Sequence, residues 1–266
     1  MKVFISADIE GVSGTTTWSE ASKSSAGYRE FQRQMTREVT AACEGALAAG
    51  ATDILIKDAH GDAGNLLHAD LPRQARLVRG WSGHPFAMVQ ELDDSFAAVM
   101  MVGYHARAGA DGNPLAHTLS SRQVHRIFLN DRPASEFYFH YLAAGLVGVP
   151  VIMLSGDATI CHEVNETDAA ILTAAVRDAS GASTINLHPD AACDLVRETA
   201  GAAMRARSEI VAATPPEGAT LRIVFKEQQQ AYYKSWYPGA TLEEPYTVSF
   251  TAKDYFDILR ALIFLV

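Results

Sequence analysis

The chain has little cysteine. Cys43, Cys161 and Cys193 are odd in number and share no short spacing, which argues against a disulfide framework and against a thiolate zinc site. A reducing cytoplasm is the expected setting, and Cys43, in an Ala-rich helical run, reads as a small buried hydrophobe. Basic runs are missing as well. Lys and Arg number 22 against 31 Asp and Glu, for a formal charge of −9, and no cluster is dense enough to follow a phosphate backbone, so nucleic acid is not an expected partner. Long apolar stretches are absent too. Residues 261–266 fall far short of the ~20 that cross a bilayer, and Asp8 follows the first apolar residues too soon for an export signal. No Gly-x-Ser-x-Gly elbow, phosphate loop or dinucleotide fingerprint occurs, and His162-Glu163 lacks the second histidine of a metalloprotease helix. Serine hydrolase, nucleotide hydrolase and dehydrogenase chemistries lose their usual signatures.

What is present is an ordinary globular composition, 48% apolar and 20% charged, in a chain long enough to bury a substantial core. Residues 2–7 read as a short buried strand, 28–49 as a helix stopped by Gly50, and 51–57 as a second strand. This βαβ opening predicts a parallel sheet that keeps its ligands at the carboxyl ends of its strands. Continuous apolar runs at 96–103 and 149–154 predict two further central strands. Residues 124–129 predict a strand closed by the turn Asn130-Asp131-Arg132-Pro133, with a helix over 135–146. Beyond these, 190–207 and 254–264 read as helices, and 221–225 and 246–251 as strands. The predicted class is α/β, a mostly parallel central sheet flanked by helices with a smaller α+β C-terminal part. The division is placed near residue 165, between a metal-binding core (1–165) and an extension (166–266) packing on it.

Five side chains able to bind metal fall at or near the carboxyl edge of that sheet: Asp8, Glu10, His60, His105 and Glu136. Carboxylates mixed with imidazoles suit zinc and its first-row neighbours. Asp8 and Glu10, two apart on an extended chain, would share a face, and a carboxylate so placed can bridge two ions. Each residue alone has a plainer reading: Asp8 as a helix cap, His60 or His105 as a partner for backbone groups, Glu136 as a favourable charge in a helix's first turn. Convergence on one edge carries the metal reading. His117, beyond the loop 109–116, is a candidate base or proton carrier. Arg107 and Asp58 are candidates to support the ligands or to meet a substrate carboxylate. His68, His84, His125, His140, His162 and His188 read as surface or cap residues. A rival reading takes Asp8 as nucleophile of a magnesium phosphatase with Asp157 as a later ligand. Another takes the chain as a non-enzymatic ring-forming protein in which zinc only stabilises the fold.

The segments Ser6-Ala7-Asp8-Ile9-Glu10-Gly11, Lys57-Asp58-Ala59-His60-Gly61, Leu92-Asp93-Asp94, Gly103-Tyr104-His105-Ala106-Arg107, and Asn130-Asp131-Arg132-Pro133 followed by Glu136 run in an order that resembles the zinc D-aminopeptidase family. The C-terminal hundred residues match more loosely. The resemblance implies two zinc ions per subunit, with Asp8 bridging, Glu10 and His60 completing one site, and His105 and Glu136 the other. It further implies that His117 acts in catalysis, that the substrates are short peptides with an N-terminal D-residue, such as D-alanyl dipeptides, and that the subunits assemble as a decamer of two pentameric rings.

Overall fold

A computed structural model describes all residues 1–266. A first sheet is built from β1 (Lys2–Ala7), β2 (Asp53–Asp58), β3 (Ala75–Val78) and β4 (Ala98–Tyr104). A second sheet begins with β5 (Val124–Leu129) and β6 (Arg132–Pro133), after which β7 (Val151–Asp157), β8 (Leu172–Ser180) and β9 (Ser183–Asn186) return to the first. Strands β10 (Ala219–Phe225), β11 (Ala240–Glu244) and β12 (Thr247–Ala252) complete the second. The helices are α1 (Trp18–Ala21), α2 (Tyr28–Ala48), α3 (Glu136–Leu146), α4 (Ala158–Thr167), α5 (Pro189–Ala206), α6 (Gln228–Lys234) and α7 (Tyr255–Leu265).

The first sheet has the order β3-β2-β1-β4-β7-β8-β9, parallel except for the edge strand β9. Its central strands β4 and β7 are buried along their whole length, as their unbroken apolar runs require. One face packs against α2 and α5 through Met35, Val39, Val196 and Ala200. The other carries α3, α4, α7 and the antiparallel second sheet, order β11-β12-β10-β5-β6. The α/β class is thus observed. The sheets do not divide the chain at residue 165, however: β8, β9 and α5 complete the first layer pair, while β5 and β6 pair with the C-terminal strands. The β5–β6 turn has Asn130 and Asp131 both at positive φ, the conformation a tight two-residue hairpin demands.

Strand order reverses between β1 and β4. Successive strands leave β1 on one side toward β2 and β3 and on the other toward β4 and β7, and such a switch point leaves a crevice at the carboxyl ends. Here the backbones run close together. A Cβ on Gly11 would lie 1.7 Å from the Tyr104 carbonyl oxygen, and one on Gly103 would lie 2.2 Å from that of Asp8, so only glycine fits at either crossing.

Candidate metal centre

Asp8 directly follows β1, and His105 directly follows β4. Between Asp8 and Glu10 the chain turns, with Val12 N–H donating to Ile9 O and Gly11 N–H to Gly103 O. The two carboxylates therefore converge through a turn and not through the alternation of an extended strand. Glu10 Oε2 lies 2.9 Å and Asp8 Oδ1 3.2 Å from His60 Nδ1. On the other side, Asp8 Oδ2 and Glu136 Oε2 each lie 3.4 Å from His105 Nε2. His117 Nε2 stands 3.6 Å from Glu136 Oε1, and its ring stacks on His105 with centroids 4.3 Å apart. The six residues form two groups of donors, Asp8-Glu10-His60 and His105-His117-Glu136, and Asp8 turns one oxygen toward each.

These separations are those of ligands around a common ion. Four ligands held tetrahedrally at ~2.0 Å stand about 3.3 Å from one another. Although close to other polar atoms, Glu10 Oε2 and His105 Nε2 are buried without an aligned hydrogen bond, which is costly unless a cation meets them. Each histidine also has its other nitrogen beside a backbone carbonyl: His60 Nε2 at 2.7 Å from Ala21 O, His105 Nδ1 at 3.0 Å from Ala106 O, and His117 Nδ1 at 2.9 Å from Leu115 O. A carbonyl only accepts, so those nitrogens keep a proton, and His60 Nδ1, His105 Nε2 and His117 Nε2 are the atoms that face inward and can offer a lone pair to a metal. The donor set therefore fits a metal.

Electrostatics agree. Burial works against charge on Asp8, yet the rings of His105 and His60 hold its carboxyl well below the usual carboxylate range. Burial likewise opposes charge on His60 and His105, but Glu10 with Asp8, and Glu136 with Asp8, raise them well above the ordinary imidazole value. Three carboxylates in a buried site demand positive charge from some source.

A scaffold of hydrogen bonds, mostly from amide N–H groups to carboxylates, fixes the ligands. Asp58, fully buried, accepts from the N–H of Asn65 and of Leu66, and Asn65 Nδ2 donates both to Asp58 Oδ1 and to His60 O, each at 2.7 Å. Asp58 thus shapes the loop 59–66 that presents His60 and is not placed to meet substrate. Asp157 caps α4 through Ile160 N–H and accepts from Ala106 N–H and Asn113 Nδ2; it braces the loops beside the centre and is not among the clustered donors, as the phosphatase reading would require it to be. Asn113 Nδ2 also reaches Glu10 O at 3.1 Å, and its Oδ1 accepts from Leu115 N–H. Glu136 opens α3, where Ser135 caps the helix, and its Oε1 accepts from Leu119 N–H at 2.7 Å. Leu119 itself sits at φ 62°, a conformation unfavourable for leucine and of the kind that gathers at functional sites. Arg107 stays part-exposed, 4.0 Å from Glu163.

Sequence reasoning missed three contributors. The helix α1 brings Ala21 O to His60 and sets Trp18 edge-on to the His117 ring at 5.3 Å. Its signal was the spacing Thr17-x-x-Glu20, and Glu20 indeed accepts from Thr17 N–H. His140 is not a surface residue: it is buried beneath Glu136, with Nδ1 at 2.7 Å from Glu136 O and Met88 N–H donating to Nε2. Asn113 had no signal beyond its place in a Gly-rich loop. His68, His84, His125, His162 and His188 are exposed as expected, with His188 capping α5.

The donors open onto a cavity of about 1080 Å³. Trp18, Trp81, Lys23 and Arg122 line it, and Leu259, Leu262, Ile263 and Val266 from the end of the chain form an apolar wall. A buried two-part donor cluster at the floor of so large a cleft is suited to polarising a bound molecule.

Comparison with known proteins leads to the same place. A D-aminopeptidase of Bacillus subtilis (strain 168) is 32% identical over 265 residues, covering 99% of this chain and 96% of the relative. The solved structure of the Zn-dependent D-aminopeptidase DppA from Bacillus subtilis, described as a self-compartmentalizing protease, superposes with a TM-score of 0.94 at 31% identity, covering 100% of this chain and 96% of that one. The family model described as D-aminopeptidase matches residues 1–264, from the first strand through the cavity-lining helix α7, and on this near-complete match the chain belongs to that family.

Proposed function

We propose that this chain is a zinc-dependent aminopeptidase that removes the N-terminal residue of short peptides, with preference for a D-residue such as the D-alanine of D-alanyl dipeptides. The observation that carries the reading is the pair of donor groups meeting at Asp8, each with an orphaned buried donor atom and inward-facing imidazole lone pairs. Asp8 would bridge two ions, Glu10 and His60 holding one and His105 and Glu136 the other. When bound, zinc supplies a Lewis acid that polarises the scissile carbonyl and brings the pKa of a water near neutrality.

The remaining work belongs to the chain. His117 is held by the Leu115 carbonyl at Nδ1, so Nε2 is the atom that takes up a proton and delivers it to the leaving amine. Trp18, edge-on to the ring of His117, limits its swing on that side. The cavity walls orient the peptide, and discrimination between D- and L-residues follows from which side of the donor pair leaves room for the side chain. We further propose assembly as a decamer of two stacked pentamers, about ten times the 28.7 kDa of one chain, and a cytoplasmic location, which suits three free, buried cysteines. No helix is long and apolar enough to cross a membrane.

The test is metal analysis of protein purified without added metal, paired with release of D-alanine and of L-alanine from matched p-nitroanilides before and after chelation. Two zinc per subunit and chelator-sensitive, D-selective release are expected. Two metals without D-selectivity would overturn the substrate alone, and activity indifferent to chelation would overturn the metal reading.

A further inference from the structure

Apart from Gln230 Oε1 in α6, the buried side-chain atoms left without a hydrogen bond fall into two sets. Glu10 Oε2 and His105 Nε2 belong to the metal centre. A second group, Arg177 Nε, Nη1 and Nη2 with Glu38 Oε2 and Thr15 Oγ1, lies behind it. Arg177 is 3% exposed, and Glu38 and Thr15 are wholly buried. A guanidinium carries five N–H donors and cannot shed its charge, and leaving it desolvated and unmatched is strongly unfavourable. A fold retains such a group only where its surroundings answer it.

The surroundings are those of the loop that carries Glu10. Arg177 lies near the end of β8, in register with Asp157 on one side and Asn186 on the other. The chain after Glu10 is stitched over this region at four points. Ser13 N–H donates to Glu38 Oε1 at 3.0 Å, Ser13 Oγ to Leu187 O at 2.8 Å, and Gly14 N–H to Asn186 Oδ1 at 2.9 Å, while Thr16 Oγ1 meets Thr184 Oγ1 at 2.6 Å. Loop 11–16 is therefore tied to Glu38 on one side and to β9 and the residue after it on the other, with Thr15 between the tethered residues. The charges acting on Arg177 are the carboxylates of Asp157, Glu10, Glu38 and Glu20, and Glu10 is the one that faces the reaction. A buried guanidinium with no aligned acceptor, on which the Glu38 and Glu10 carboxylates act, is the arrangement that ordered water completes.

We propose that Arg177 is a positioning residue for the metal centre: with Glu38 and Thr15, and through shared water, it fixes loop 11–16 and thereby the carboxylate of Glu10. The proposal rests on Glu10 being a metal ligand. It explains why a strand that meets the metal centre only from behind carries a buried cation, and why the loop is tied to β9 and not only to β4.

The experiment is zinc titration against a chromogenic chelator for the wild type and for Arg177→Met, Arg177→Lys and Thr15→Val, with the melting temperature of each zinc-free protein recorded. In Arg177→Met one of two zinc ions should bind about 10–100-fold more weakly, the range seen when a residue supporting a ligand is lost, with the second ion unaffected. Arg177→Lys should recover most of that affinity. Thr15→Val exchanges one hydroxyl for a methyl and should weaken the same ion several-fold, which preserves the test if Arg177→Met does not fold. Wild-type affinity for both ions in Arg177→Met and in Thr15→Val overturns the proposal, as does equal weakening of both ions in step with a lowered melting temperature in Arg177→Lys. A wild type that binds no zinc overturns the metal reading itself, and this proposal with it.

Discussion

At the scale of single residues, the centre separates groups that hold from groups that move. His60 and His105 each lie between two carboxylates, whereas His117 approaches one carboxylate, Glu136, stacks on His105 and is bounded on its outer side by an indole. His117→Ala should keep both zinc ions while kcat falls about 10²–10⁴-fold, the range for loss of a general acid or base. Metal analysis of the purified variant decides the matter, because a drop to one zinc would make His117 a ligand. Asp8 gives the opposite expectation. Its two oxygens face different groups, so Asp8→Asn should lower the zinc content at both positions, while Glu10→Gln should lower it at one.

At the scale of elements, the site depends on how closely two strand ends cross. Gly11→Ala would drive a methyl into the Tyr104 carbonyl, which is backbone and cannot swing aside. The strands would have to part, and a loss of about 3 kcal/mol or more in chemical unfolding is expected. A variant as stable as the wild type would mean that the crossing is looser than it stands. Much of this scaffold was legible in the sequence: β1, β4 and β7 are central parallel strands, and such strands write themselves as unbroken apolar runs. The strands β8 and β9 were not, because they lie at the sheet's edge, where β8 mixes buried Ala174 and Val176 with exposed Ala175 and Asp178. Helix α1, at four residues, is too short for periodicity to register. The same contrast holds in the site. Asp8, His60 and His105 stand directly at or just beyond predicted strand ends, where chemistry is looked for. His140 and Arg177 are answered by backbone atoms or by residues far along the chain, and no local pattern announces such partners.

At the scale of the whole molecule, the metal centre couples stability to pH. In the zinc-free protein, His60 and His105 have pKa values raised well above 6.5 by the carboxylates beside them, against the pull of burial. Protons are then bound more tightly in the folded state. Their stabilisation is complete below the unfolded value near 6.5 and is lost as pH climbs through the folded values. Zinc competes with those protons, so its own contribution moves the other way. The gain in melting temperature on adding zinc should be larger at pH 8.5 than at pH 6.0, and a scanning calorimetry series that shows no trend would count against a proton-for-metal exchange at these histidines.

The apolar wall of the cavity comes from the last helix, on a different layer from the strand ends that carry most of the donors. Ile263→Ala should change KM for peptides with bulky residues while the zinc content stays at two, which paired kinetics and metal analysis would show. Diet and chemistry are thereby inherited separately. On the proposed function, a lineage with this fold could alter which peptides it takes by drift within the eleven residues of α7, while the donor residues stay fixed on the facing side.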